Sequence, residues 1–310
     1  MEPSGTNGSG RREVDELGDF VATQPSLRSH LETWRRAAQS RAPLLVLGEE
    51  GSGRSTLARA LHQTSGRHPR VESDVGLIQP TLFEGELFGY LRGAFTGAEA
   101  SREGLVARAE GGTLVLDRIE ELPMALQPKL LRLLAESRYT PLGGRERSCD
   151  VRFLSIGSLA LPERARRGVF RSDLFYRLEV LAVRLPPLRA RREDLDQLVP
   201  RLLEQAASRY GKPSVELTPA TWSWMREHVW PGNLRELRNC IERAVVLHES
   251  GPLEIEAPQG RGRPRSLAEV EEEAIRKALA HTRGHQGKAA EILGISRKTL
   301  WEKRKRYGIK

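Results

Sequence analysis

Hydrophobic and polar positions change period several times along the 310 residues, and each change marks an element. From Ser26 the apolar positions Leu27, Leu31, Trp34 and Ala38 follow helical spacing, with Ser26 placed to cap the helix. Leu44 to Leu47, between Pro43 and Gly48, predicts a buried strand. Arg54 to His62 predicts a helix. Thr113 to Leu116 and Val151 to Ile156 predict two more buried strands. Strands alternating with helices imply an α/β fold with a parallel sheet covered by helices. After Pro186-Pro187 the strand signals fade. Leu195, Leu198 and Leu202, then Leu237, Ile241 and Ala244, predict a small helical subdomain. The Gly, Pro and Arg of 251–266 predict a linker, and helical pattern returns over 267–307. The expected organisation is a mobile leader (1–20), an α/β subdomain (21–188), a helical subdomain (189–250), the linker (251–266) and an all-α C-terminal domain (267–310). No internal repeat is visible.

Composition narrows the class. Hydrophobic residues make up 38% and charged residues 29%, enough apolar side chains for a core. No apolar run approaches the ~20 residues of a membrane helix, and Met1 to Gly10 lacks the apolar segment of a secretory signal. Cys149 and Cys240 are the only cysteines, too few for a disulfide scaffold or a Cys-based zinc site. A cytoplasmic protein with no membrane contact is expected. Charge is segregated: residues 261–310 hold 14 basic and 6 acidic side chains, which accounts for +8 of the net +9. A basic tail on a nearly neutral body suits duplex DNA.

Two motifs point to nucleotide chemistry. Gly48-Glu49-Glu50-Gly51-Ser52-Gly53-Arg54-Ser55-Thr56 follows a strand and opens a helix, the frame of a phosphate-binding loop. Glycines let backbone N–H groups curl around phosphate oxygens, and the helix N-terminus adds positive potential. Ser55 Oγ is placed to reach Mg²⁺. Arg54 stands where the frame has Lys, and the two cations are not interchangeable. Asp117, at the end of the strand Thr113 to Leu116, is a second candidate Mg²⁺ ligand. Arg118 follows it, and a cation there cannot act as a general base. It is expected to pair with Asp117 and compete with the metal. Glu120 and Glu121 are two and three residues further on, an offset expected to point them elsewhere.

The tail has helix-turn-helix spacing over Gly287 to Leu300. Ala290 is small where helices must cross, Gly294 permits a left-handed turn, Ile295 and Leu300 fill the gap, and Ser296 caps the second helix. That helix, Arg297 to Tyr307, is expected to present Ser296, Arg297, Lys298, Thr299 and Lys303 to DNA and to pack Trp301 inward.

Glu86 to Ala98 contains Gly93-Ala94-Phe95-Thr96-Gly97-Ala98. With Asp173-Leu174-Phe175-Tyr176-Arg177-Leu178, Leu185-Pro186-Pro187-Leu188-Arg189 and Trp230-Pro231-Gly232-Asn233-Leu234-Arg235-Glu236-Leu237, it resembles the AAA+ domain of sigma-54-dependent transcriptional activators. The tail resembles that family's Fis-type helix-turn-helix. The resemblance implies an AAA+ P-loop sheet with a helical lid, ATP and Mg²⁺ as cofactors, sigma-54 RNA polymerase and enhancer-like DNA sites as partners, and assembly into a homo-oligomer or mixed ring. It implies that Gly93 to Ala98 touch the sigma factor. It also implies that Arg171 and Arg177 reach the neighbouring subunit's γ-phosphate as catalytic arginines, and that Arg235 is the lid's sensor arginine.

The chain departs from the family in four parts of the hydrolytic machinery. Arg54 and Arg118 replace Lys and Glu. Asp74 stands where the family has the Asn that positions that Glu, and Gly157-Ser158 where it has Thr-Asn. Altering one charge-positioning group typically costs about 10²-fold in rate, so ATP binding with impaired hydrolysis is expected. About 20 residues precede the core, so control is expected from expression or a partner in trans. The alternatives are a non-hydrolysing subunit of a mixed ring that binds DNA, and a DNA-binding regulator whose core serves only assembly.

Overall fold

The computed structural model describes residues 15–213, 216–248, 251–253 and 255 of one compact unit. Of a second it describes 271–272, 274–276, 278–279, 282 and 285–307; the units divide between Ile255 and Glu256.

The first unit is built on five parallel strands. These are β1 (Leu44–Gly48), β2 (Arg70–Asp74), β3 (Thr113–Asp117), β4 (Arg152–Ser158) and β5 (Leu181–Leu185), in spatial order β2-β3-β4-β1-β5. Successive side chains feed opposite faces. Leu45, Leu47, Leu114, Leu116 and Phe153 enter one core, while Leu44, Val46, Val115, Leu154 and Ile156 enter another. Each such burial stabilises by about 1.5–3 kcal/mol. The three apolar strands expected from sequence are the central ones. The two edge strands were not legible: β2 buries only Val71, and β5 alternates between buried and open positions.

Helices cover the sheet: α1 (Glu16–Ala22), α2 (Leu31–Gln39), α3 (Arg54–Thr64), α4 (Gln127–Glu136) and α5 (Ser172–Leu178). Two expectations change here. Residues 16–20 belong to α1, with Leu17 and Phe20 buried, so the chain is packed before residue 21; residues 1–14 lie outside the described residues. Ser26 does not cap α2, because Pro25–His30 forms a 3-10 turn and the Ser26 N–H and hydroxyl both donate to Asp194, at 3.0 and 2.7 Å.

The helical subdomain comprises α6 (Leu195–Tyr210), α7 (Pro219–Glu227) and α8 (Asn233–Leu247). Trp230 is fully buried among them and donates through Nε1 to the Met225 carbonyl at 2.9 Å. The expected linker starts too early. Leu253 bridges to Leu217, and Leu253 and Ile255 are buried in this helical core, because their apolar side chains complete it. Residues 256–266 lie outside the described residues.

In the second unit, Ile275, Ala278, Leu279, Ala289, Ala290 and Leu300 form a small core around α9 (Gln286–Ile292) and α10 (Arg297–Arg306). Among the described residues no helix is long and apolar enough to cross a membrane.

Candidate nucleotide site, surface loop and DNA-facing helix

The loop after β1 carries the first part of the site. Gly51 and Gly53 have φ of +73° and +105°, which side chains adopt at a cost. At Gly51 a Cβ would lie 2.4 Å from the Gly232 carbonyl, so the helical subdomain's approach itself demands glycine. Several contacts hold that subdomain to the loop. Glu49 accepts from Arg189 Nη1 and Nη2 at 2.7 and 2.6 Å and from Asn233 Nδ2 at 3.2 Å, and Arg189 holds its carboxyl below the usual range. Asn233 Nδ2 also donates to the Glu50 carbonyl at 3.1 Å, and its Oδ1 accepts from Leu188 N–H at 2.8 Å. Buried Arg191 donates to the Ser52 carbonyl at 2.6 Å, and Arg235 pairs with Glu50. Sequence reasoning missed Arg189, Arg191 and Asn233 as site residues; for Arg189 and Asn233 the signal was their place in motifs quoted for other reasons.

A cavity of about 620 Å³ opens beside this loop, lined among others by Arg54, Ser55, Asp117, Arg118, Glu120 and Arg235. Thr56 lines it too. Ser55 Oγ donates to Asp117 Oδ2 at 3.0 Å, so the two oxygens expected to hold Mg²⁺ are adjacent. Among the described residues no cluster of three His, Cys, Asp or Glu could hold a metal alone. A hydroxyl and a carboxylate beside a phosphate loop fit Mg²⁺ that completes its shell with phosphates and water. Arg54 Nη1 donates to the Gly157 carbonyl at 2.6 Å.

Arg118 does not pair with Asp117. Only its backbone N–H bonds Asp117, at 2.8 Å; its Nε lies 2.6 Å from Asp74 Oδ1. The reason is local geometry. Asp74 stands opposite Asp117 in the β2–β3 register, and Arg118 is left-handed at φ 53°, which turns its side chain toward β2. Glu120 also departs from expectation. The 3-10 turn Ile119–Glu121 brings it back against β4, where Oε1 accepts the Ser158 N–H at 3.0 Å. Glu121 does point away, pairing with Arg164 at 3.2 Å.

The Gly93 to Ala98 loop is closed at its base by the bond from Gly93 N–H to the Ala98 carbonyl, 2.9 Å. Gly93 and Gly97 have φ of +80° and +98°. The tip presents Phe95, 46% exposed, edge-on to Tyr90 at 5.0 Å between ring centroids. Neither Arg171 nor Arg177 lines the cavity. Arg171 forms a two-point pair with Asp173, at 2.7 and 3.1 Å, and Arg177 donates to the Leu134 carbonyl near the end of α4 at 2.9 Å.

In the second unit Ser296 Oγ caps α10 by accepting the Thr299 N–H at 3.0 Å, and Gly294 takes the left-handed turn at φ 65°. Arg297 and Lys298 are exposed at the helix start, and Thr299 is half-buried behind the cap. Two expectations reverse. Lys303 turns inward to pair with Glu271, whose other oxygen accepts Tyr307 OH at 2.6 Å. Trp301 is 56% exposed rather than packed, because Leu300 fills the core position and the next residue falls about 100° around the helix.

Comparison with known proteins identifies the three domains. The model of the Sigma-54 interaction domain matches residues 20–184, that of the AAA+ ATPase lid domain 189–261, and that of the bacterial regulatory protein, Fis family, 266–307. The chain is 40% identical to the alginate biosynthesis transcriptional regulatory protein AlgB of Pseudomonas aeruginosa, over 96% of this chain and 69% of that protein. It is 37% identical to the regulatory protein AtoC of Escherichia coli, over 95% and 68%. The crystal structure of NtrX from Brucella abortus in complex with ATP superposes with a TM-score of 0.70 at 28% identity, over 95% of this chain and 72% of that one.

Proposed function

This chain belongs to the sigma-54-dependent transcriptional activators, with a DNA-binding helix-turn-helix, and from that premise we propose that it binds ATP with Mg²⁺, assembles into a ring and hydrolyses ATP slowly. Gly51 to Ser55 cradle the phosphates, Ser55 and Asp117 hold the metal, and Arg235 reads the nucleotide after releasing Glu50. Arg171 and Arg177 leave their internal partners to reach the neighbouring subunit. The Gly93 to Ala98 loop contacts sigma-54 through Phe95 and Thr96, and Arg297 and Lys298 face duplex DNA. Bound Mg²⁺ would neutralise phosphate charge; the chain's own residues orient the nucleotide and fold the lid over it.

The observation that carries the slow-turnover part is the Arg118–Asp74 contact at 2.6 Å. It puts an ion pair where the resemblance has an Asn–Glu pair, while Ser55 and Asp117 stay together for the metal. Binding needs Ser55 and Asp117; fast hydrolysis needs the Asn–Glu pair that the ion pair replaces. The test is ATP affinity and phosphate release by the purified chain, alone and mixed with an active homologue. Weak ATP binding with turnover well below ~1 s⁻¹ is expected. Turnover at or above that value overturns the slow-hydrolysis reading, and no ATP binding overturns the site. The same contact also favours a second reading, a subunit that lends structure to a mixed ring. Stimulation of the homologue's turnover by this chain would favour it.

A further inference from the structure

Trp301 is the one exposed tryptophan of this chain. Of the five, Trp34 and Trp230 are buried and Trp222 and Trp224 half-buried, while Trp301 is 56% exposed. An open indole keeps a large apolar area in water, and its place on α10 shows what suits it. Leu300 fills the core beneath the helix, and Lys303 and Tyr307 turn inward to Glu271. At about 100° per residue, Lys298, Trp301 and Lys305 then share one outward stripe, and both lysines are exposed. Lys305 Nζ stands 5.5 Å from the centre of the indole ring. Glu302 is the only acid of α10, against six basic residues. A protein interface centred on this ring would have to bury Lys298 and Lys305 beside it, and lysine is depleted from such centres. Duplex DNA offers what the stripe complements, phosphates along the backbone and thymine methyl groups in the major groove. Trp301 lies four residues beyond Arg297, about 6 Å along the helix axis, which falls within the ~12 Å width of that groove.

We propose that Trp301 is a specificity residue of the DNA-binding helix, its indole packing on a thymine methyl group and so selecting an A·T pair at one position of the bound site. This rests on the reading above that Arg297 and Lys298 face duplex DNA. The thymine methyl is the apolar group among the base edges of the major groove, so packing it on the ring removes two apolar surfaces from water together. A G·C pair presents polar edges there, which the indole face would desolvate without returning a hydrogen bond. Lys298 and Lys305 supply charge on either side of the ring and hold the helix on the phosphates without reading sequence.

The probes are a duplex selected by the full chain from a random-sequence pool and a random duplex of the same length. In the selected duplex each thymine is replaced in turn by deoxyuridine, which lacks the methyl group and keeps every hydrogen-bonding edge. At one or two positions the replacement should weaken binding by the parent about threefold to fivefold, the effect of one buried methyl group. Trp301→Ala should lose about tenfold on the selected duplex, stay within about twofold of the parent on the random one, and no longer distinguish thymine from deoxyuridine at those positions. Trp301→Phe should keep the distinction. Both variants should melt with the parent, because the ring lies outside the core that Leu300 fills. Equal deoxyuridine effects in the parent and Trp301→Ala, or none in the parent, overturn the proposal. So does a Trp301→Ala chain that loses affinity for both duplexes alike and sediments as a smaller species, which makes the ring an interface between copies. A chain that binds neither duplex at low salt instead sinks the DNA-facing reading itself.

Discussion

Arg118 Nε lies 2.6 Å from Asp74 Oδ1, across the ends of neighbouring strands β3 and β2. Two departures that look independent in the sequence are thus one contact. With Asp74 present, Asp117 keeps its bond from Ser55 Oγ at 3.0 Å. Both side chains of the pair are about one-third or more exposed, so solvent screens it and it adds little to stability. Its consequence is for charge placement.

That coupling predicts strong non-additivity. Arg118→Glu alone sets a second carboxylate beside Asp74 at one strand end, and should change phosphate release by less than about threefold. Asp74→Asn with Arg118→Glu should raise it by about 10²-fold, the usual contribution of a positioned base. Adding Arg54→Lys should raise it further. Equal turnover in the single and double variants would show that the two positions act separately.

Thr96→Ala should abolish capture of sigma-54 in the presence of ADP with aluminium fluoride while leaving the melting temperature unchanged. The loop base is closed by a backbone bond between Gly93 and Ala98, which truncation of the Thr96 side chain leaves in place. Retained capture in a pull-down would remove Thr96 from the contact.

On α10, Lys298 and Lys303 should separate. Lys298 is exposed, so Lys298→Ala should weaken duplex binding at every sequence and reduce the slope of log affinity against log salt by about 1. Lys303 is bound to Glu271, so Lys303→Ala should leave that slope unchanged and lower the melting temperature instead. Fluorescence anisotropy across a salt series distinguishes the two, and a changed slope for Lys303→Ala would return that residue to the DNA face.

Acid should destabilise the first unit through His62. It is buried in α3, and burial first, then the charges of Arg70, His68 and Arg152, pushes its imidazole down to about 4. The unfolded chain protonates it near 6.5, so below that pH the unfolded state binds the extra proton. The stabilisation is complete above about pH 6.5 and is lost as pH falls toward about 4, by roughly 1–3 kcal/mol. Urea midpoints at about pH 7.5 and about pH 5 should therefore differ less in His62→Gln than in the parent. An identical pH dependence in both would exclude His62.

The sequence by itself determined the central strands, the phosphate loop and the domain types. Runs such as Leu44 to Leu47 feed both faces of the sheet, and only a covered parallel sheet buries both. The Ser296 cap and the Gly294 turn were equally legible, because each depends on one residue's local chemistry. Edge strand β2 was not legible, since an edge tolerates the polar side chains of Arg70, Glu72 and Asp74. Tertiary structure alone decided where charges point. Asp74 meets Arg118 across 44 positions of sequence, and Glu120 meets Ser158 across 38. Asn233 clasps the phosphate loop from 184 positions away, and Lys303 turns to Glu271 instead of outward. Periodicity reports which side of an element faces apolar surroundings. A flexible polar side chain takes its direction from the partner that the fold brings within about 3 Å, and no local pattern encodes that partner.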